Sequence, residues 1–160
     1  MSAVIDDRRQ WVPMTVLHLD AVLAIEVEAY PVPWTRGNFI DSIAAGYDAW
    51  LLVDARQTLL GYFVAMDGVD EMHLLNLTVA PPLQGRGHAR EMLDRLVALC
   101  RERHAQMLWL EVRVSNERAK ALYARYGFQP IRMRRGYYPL PPGQMGREDA
   151  AVMSLKVEWE

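Results

Sequence analysis

The stretch from Met72 to Val112 constrains this chain more than any other. It contains an apolar β-prone run at 72–79, the Gly-rich turn Gln84-Gly85-Arg86-Gly87-His88-Ala89, and then Met92, Leu93, Leu96, Val97 and Cys100 recurring at three and four. A second β-prone run follows at 107–112. The recurrence is the stripe of an amphipathic helix packed on a sheet. A strand, a helix and a second strand form a right-handed crossover, so runs 72–79 and 107–112 are expected parallel and adjacent, their C-terminal ends facing one crevice. Such a crevice, beside the N-terminus of the intervening helix, is where open α/β sheets bind ligands.

The flanking sequence completes a mixed α/β domain. Residues 11–15 read as a strand. Leu17, Ala21, Leu23, Ala24, Ile25 and Val27 then read as a helix that Pro31 stops. Thr35 is a candidate N-cap for a second helix with Phe39, Ile40 and Ile43 inward, closed at Gly46. Runs 49–53, 59–66 and 72–79 are separated by short Asp-containing turns and predict an antiparallel meander. Asn116 to Tyr126 reads as a helix ended by Gly127, with strands at 128–134 and 150–156, while the Pro/Gly-rich segment 140–147 reads as a loop. No repeat or flexible linker interrupts the pattern, which predicts one domain over 1–160.

Composition excludes several classes. Apolar residues make up 51% and charged residues 24%, and the net charge of -2 gives no overall field toward nucleic acid or an anionic membrane. Asp6, Asp7, Arg8 and Arg9 stand where a signal peptide needs an apolar run, and no stretch of about 18 apolar residues occurs. Cys100 is the only cysteine, which rules out an intrachain disulfide and suits a reducing cytoplasm. It falls on the apolar stripe, which favours packing over nucleophilic chemistry. His18, His73, His88 and His104 show neither i, i+4 pairing nor carboxylate partners in metal spacing, so each reads as structural and no metal is expected.

The Gly-rich turn opens a helix, and its N–H groups sit at the positive end of the helix dipole, so an anion belongs there. Gly85 and Gly87 let the backbone approach phosphate oxygens, and Arg86 can add a charge-assisted contact. Alone, the hexamer reads more readily as a tight turn. It is neither a nucleoside-triphosphate loop, lacking Gly-Lys-Ser/Thr, nor a dinucleotide fingerprint, lacking three spaced glycines. In the neighbouring strand Trp109, Glu111 and Arg113 share one face. Glu111 is a solvated strand-end acid or, if buried, a base. Asn116 is first an N-cap and otherwise a ligand contact. Tyr123 is either core or a proton donor facing the crevice.

Together these features resemble the Gcn5-related N-acetyltransferase superfamily. The pattern is a strand ending at Leu77-Thr78-Val79, then Gln84-x-x-Gly87-x-Ala89, then Asn116 with Ala119-x-x-Leu122-Tyr123-x-x-x-Gly127-Phe128. Within it the chain resembles bacterial enzymes that acetylate the N-terminal alanine of a ribosomal protein. The matching segments are Glu26-x-x-Ala29-Tyr30-Pro31-x-Pro33-Trp34, Leu110-Glu111-Val112-Arg113-x-Ser115-Asn116, Arg135-Gly136-Tyr137-Tyr138-Pro139 and Arg147-Glu148-Asp149-Ala150-Ala151-Val152-Met153. Alanine at position 89, where glycine is commoner, is tolerated in the family.

The resemblance implies a mostly antiparallel central sheet flanked by helices, with a splayed parallel strand pair holding acetyl-CoA. It implies cofactor contacts at Leu77, Thr78, Val79, Gly85, Arg86, Gly87, His88, Ala89, Arg90 and Asn116, with Glu111 as general base and Tyr123 as general acid. It further implies a peptide groove lined by Tyr30, Pro31, Tyr137 and Tyr138, direct transfer without an acyl-enzyme, and an oxyanion held by a backbone N–H near Val79. The expected substrate is a protein N-terminus, and the expected protein a cytoplasmic monomer that binds neither nucleic acid nor membrane. Acetylation of a small amine is the alternative, which would need an acidic pocket, and Asp67, Asp70 and Glu71 are the nearby acids. A non-catalytic coenzyme A-sensing module would lack Glu111 and Tyr123, and both are present.

Overall fold

The structure is a computed structural model that describes residues 8–158. Asp6 and Asp7, part of the reading against a signal peptide, lie outside the described residues. Seven strands form one sheet: β1 (Arg9–Pro13), β2 (Asp48–Asp54), β3 (Leu59–Asp67), β4 (Glu71–Val79), β5 (Met107–Arg113), β6 (Gln129–Pro139) and β7 (Arg147–Lys156). Their order is β1-β2-β3-β4-β5-β7-β6, and every pair is antiparallel except β4 with β5. The expected meander and parallel crossover are both present.

Helices α1 (Leu19–Ala29) and α2 (Arg36–Ala44) cover one face around a core of Val22, Phe39, Tyr62 and Val64. Helices α3 (His88–Glu102) and α4 (Glu117–Tyr126) cover the other, packing Met92, Leu96 and Tyr123 against Met72, Leu74, Leu108 and Leu110. Thr35 caps α2 by accepting from the Asn38 N–H at 3.2 Å, and Gly46 at φ +80° ends it. Cys100 is buried 3.9 Å from the Met72 sulfur, and burial pushes its thiol up to about 12, as fits a packing residue.

The faces of the first two helices differ from the expectation. In α1 the buried residues are Leu19, Val22 and Glu26, while Leu17 lies before the helix and is 90% exposed. This helix is apolar nearly all round, so periodicity does not single out one face. In α2, Phe39 and Ser42 are buried while Ile40 is exposed, and Ser42 is satisfied by donating to the Asn38 carbonyl at 2.9 Å. Strand β6 continues to Pro139 and β7 begins at Arg147, so the loop is 140–146.

One irregularity shapes the middle of the sheet. Val64 pairs with Asn76 but Ala65 pairs with Leu74, so Leu75 is an extra residue, a β-bulge on β4. The parallel ladder of β4 with β5 stops at the same place, its last partners being Leu74 and Leu110. A bulge bends its strand and increases local twist. Beyond it β4 and β5 splay apart. The bulge also reverses the alternation: Met72 and Leu74 face α3, and so do Leu77 and Val79, leaving Asn76 and Thr78 to face α1.

Candidate active site

The splay opens two cavities that meet. The donor-side groove, about 480 Å³, runs from Leu77, Thr78 and Val79 past Gln84, Gly85, Gly87, His88, Ala89 and Arg90 to α4. The acceptor-side cavity, about 340 Å³, lies between Glu26, Trp34, Asn76, Glu111, Arg113 and Tyr138. Tyr30, Leu77, Asn116, Ala119 and Tyr123 line both.

In the groove, Gly85 and Gly87 have φ of +82° and +87°, and a Cβ at either would meet nothing within 4 Å. Left-handed backbone, not lack of space, therefore selects glycine there. Gly87 is the N-cap of α3, so the turn presents the orphan N–H groups of a 15-residue helix to the groove. Arg118 and Arg125, seven residues apart on α4, line the same groove and were missed by the sequence reading. The signal for them was present, since positions seven apart share a helix face. Arg86 is exposed and does not line the groove, because the turn directs its side chain outward.

On β4 the Ala80 N–H donates to the Leu60 carbonyl, whereas the Leu77 carbonyl accepts from the Tyr30 hydroxyl at 3.1 Å and the Val79 carbonyl from Gln84 Nε2 at 3.3 Å. Peptide groups alternate sides along a strand. Leu77 and Val79 thus direct theirs into the split, where β5 no longer pairs. A buried polar chain backs this edge: Glu26 accepts from the Trp34 N–H at 2.9 Å, the Tyr62 hydroxyl at 2.7 Å and Asn76 Nδ2 at 3.1 Å. Thr78 donates to Asn76 Oδ1 at 2.7 Å and shares a 2.7 Å hydrogen bond with Tyr30. Burial pushes the Tyr30 phenol up to about 12, with its bond to Thr78 acting the other way. Tyr30 therefore lines both cavities while its hydroxyl is committed to the β4 edge.

Asn116 caps α4, its Oδ1 accepting the Ala119 N–H at 3.1 Å, which leaves its amide N–H groups for the cavities. Tyr123 is buried edge-on to Phe128, and its hydroxyl has no hydrogen-bond partner among the described residues. Burial raises its phenol well above the ordinary value, so it holds its proton at neutral pH.

Glu111 is not a solvated strand-end acid. Its side chain is 4% exposed, Oε2 accepts from Arg134 Nη1 at 2.7 Å, and Oε1 lies 3.0 Å from His73 Nε2 and 3.4 Å from the Tyr137 hydroxyl. His73, which reads as structural in the sequence, thus has a carboxylate partner. The β-ladder brings the pair together, since His73 faces Trp109 and Glu111 is the next residue on that face. His88 Nδ1 also approaches a carboxylate, Glu91, at 3.8 Å, within its own helix. Among the described residues no group of three or more His, Cys, Asp or Glu is placed to hold a metal.

The 147–149 segment faces a bulge in β6. Arg134 pairs with Ala150 and Tyr138 with Glu148, so 135–137 bulge opposite Asp149 alone. Asp149 Oδ1 accepts the Gly136 N–H at 2.8 Å, and Arg147 donates to the Gly136 and Tyr137 carbonyls at 2.6 and 2.8 Å. Glu148 accepts from Arg113 at 2.8 Å, and the Arg113 guanidinium also lies 4.5 Å from the Tyr138 ring centroid. The bulge sends the adjacent tyrosines different ways. Tyr138 enters the acceptor-side wall, while Tyr137 stays outside it with Arg134 over its ring at 4.4 Å. Pro31 is also absent from that wall, being exposed, and Val32, Pro33 and Trp34 line it instead. Asp67, Asp70 and Glu71 lie at the opposite end of β4 from the split, and Asp67 is held by Arg103 at 2.5 Å.

A splayed β4/β5 pair with a glycine turn at one cavity and a buried carboxylate at the other defines an acyl-transfer fold of the N-acetyltransferase class. The chain belongs to the acetyltransferase (GNAT) family, whose sequence model matches residues 19–128. It is 37% identical over 131 residues to the [ribosomal protein bS18]-alanine N-acetyltransferase of Haemophilus ducreyi, covering 82% of this chain and 88% of that protein. The crystal structure of the ribosomal-protein-S18-alanine N-acetyltransferase from Escherichia coli superposes with a TM-score of 0.83 at 31% identity, over 96% of each chain. Ard1 from Thermoplasma volcanium shares the fold, at a TM-score of 0.82 and 21% identity over 94% of this chain and 99% of that one. The protein is an acetyltransferase, and GNAT acetyltransferases use acetyl-CoA. No helix among the described residues is long and apolar enough to cross a membrane.

Proposed function

We propose that the protein moves the acetyl group of acetyl-CoA onto the N-terminal alanine α-amine of a small-subunit ribosomal protein, by direct transfer in the cytoplasm. The observation that carries this is the meeting of the two cavities at Tyr123 and Asn116, with Glu111 in the wall of one and the Gly87 helix terminus in the wall of the other. The named activity of relatives that align along most of the chain supports the choice of acceptor.

The donor groove suits coenzyme A. Its pyrophosphate meets the N–H groups at Gly85 to Ala89, and Arg90, Arg118 and Arg125 supply cations along the same wall. The thioester supplies an activated acyl carbon. Glu111 takes the proton of the incoming amine, Leu77 and Val79 offer N–H groups toward the oxyanion, and Tyr123 gives its proton to the leaving sulfur. Asn116 amide and Tyr138 orient the acceptor, and Tyr30 holds the β4 edge at which the two substrates meet. Arg86, Pro31 and Tyr137 have no direct contact role in this scheme.

The test is thiol release from acetyl-CoA with an Ala-starting peptide, the same peptide N-terminally blocked, and spermidine. Turnover of the free peptide alone is expected. Turnover of spermidine with the peptide inert would move the protein to the small-amine alternative.

A further inference from the structure

We infer that His73 is a positioning residue for Glu111: its neutral imidazole holds the carboxylate toward the acceptor-side cavity, and its protonation disables that carboxylate as a base. The inference rests on the proposed role of Glu111. His73 is fixed from two directions. Its ring stacks on Trp109 at 3.6 Å between centroids and 9° between planes, and Nε2 meets Glu111 Oε1 at 3.0 Å. Only 12% of its side chain is exposed, against 43% for Arg134 on the other carboxylate oxygen, so His73 is the more rigid of the two partners.

The titratable and charged groups that face the ring are few. Glu111 comes from β5, Glu71 from β4 itself, and Arg134 and Tyr137 approach the shared carboxylate from β6, while the β3 partner of His73 is the neutral Met66. Burial lowers the imidazole below its ordinary 6.5, with Glu111 and Glu71 opposing and Arg134 reinforcing the shift. At neutral pH the ring is therefore uncharged and donates one N–H to Glu111. On acidification it becomes a second cation on a carboxylate that already holds Arg134. Both carboxylate oxygens are then held by cations through charge-assisted hydrogen bonds, neither is left to take the incoming proton, and the amine keeps its own. kcat therefore falls as pH falls through the titration of His73.

The experiment measures kcat at saturating acetyl-CoA and Ala-starting peptide between about pH 5 and pH 8. In His73→Gln, which keeps an N–H donor but does not titrate, the acid limb should move to lower pH by about one unit or more. In Glu111→Gln, kcat should fall at least about a hundredfold and the limb should disappear. A wild-type limb in His73→Gln, with the limb lost in Glu111→Gln, overturns the role of His73 and leaves the base in place. A wild-type profile in Glu111→Gln overturns the base, and the inference with it. Should His73→Gln not fold, NMR keeps the question open to refutation. The His73 Cε1–H resonance, assigned against substitutions of His18, His88 and His104, should titrate with the kcat limb and shift to lower pH in Glu111→Gln. An unmoved titration overturns the inference.

Discussion

The two cavities that meet at Tyr123 are built in opposite ways. The donor groove takes most of its wall from two short segments, 77–90, which leads into the first turn of α3, and 116–125, which is nearly the whole of α4. The acceptor cavity draws on α1, the segment leading to α2, β4, β5, α4 and β6, so Glu26, Glu111 and Tyr138 meet only because the sheet brings them together. A groove built around a helix N-terminus presents backbone N–H donors whatever side chains surround it. A cavity made from dispersed side chains can change its acceptor by substitution at any one of them.

Tyr123 is one of the five residues that line both cavities. Tyr123→Phe removes a hydroxyl that no other described group engages, so kcat should fall by about 10²–10⁴ while the acetyl-CoA Kd measured by calorimetry changes little. Loss of acetyl-CoA affinity instead would make Tyr123 a groove residue only. Next, Glu26→Leu leaves three donors without their acceptor, and chemical denaturation should show a loss of about 3 kcal/mol or more. An unchanged midpoint would mean that the α1 network does not anchor the β4 edge.

Gly87→Val forces a β-branched residue into φ +87° and should raise the acetyl-CoA Kd about tenfold or more, with the peptide KM little changed. Gly46→Val, equally strained at φ +80° but outside the groove, is the control and should leave that Kd alone. Asp149→Ala should do the reverse. Loosening the 135–137 bulge raises the peptide KM about tenfold without touching acetyl-CoA binding. The smallest effect is on acidification. Hydrogen bonding from Arg113 holds the Glu148 carboxyl below its ordinary 4.5, so its contribution to stability is fully present above that pH and is lost as pH falls through the lower folded value. The thermal midpoint of Glu148→Gln should accordingly vary less with pH below about 4.5 than that of the wild type.

The donor groove was legible in the sequence because a turn and the helix it opens are local. Left-handed glycines, an N-cap and a helix stripe depend on neighbours within about four residues. Nine of the ten anticipated contacts there line the groove, and Arg86 misses because its direction is set by the turn's φ and ψ rather than by its type. The acceptor cavity was legible only in fragments. Glu26 replaces an apolar residue on the buried side of α1, a side that periodicity alone did not identify in so apolar a helix. The Tyr137-Tyr138 pair was visible, yet which tyrosine faces inward depends on a bulge held by Asp149 and Arg147 from another strand.

The sequence by itself determined the crossover around 72–112, the Gly-rich turn that opens α3, the meander and the N-cap at Asn116, since propensity, period and turn chemistry act over short separations. Only the tertiary structure decided the splay. A single extra residue, Leu75, ends the β4/β5 ladder, reverses which side chains of β4 face which helices, and brings Asn76 to Glu26. Alternation of apolar residues fixes a strand's faces only while its register is unbroken, and register is a property of two strands rather than one. The same holds for His73 and Glu111, 38 positions apart in the numbering, which become neighbours through the parallel pairing of β4 with β5.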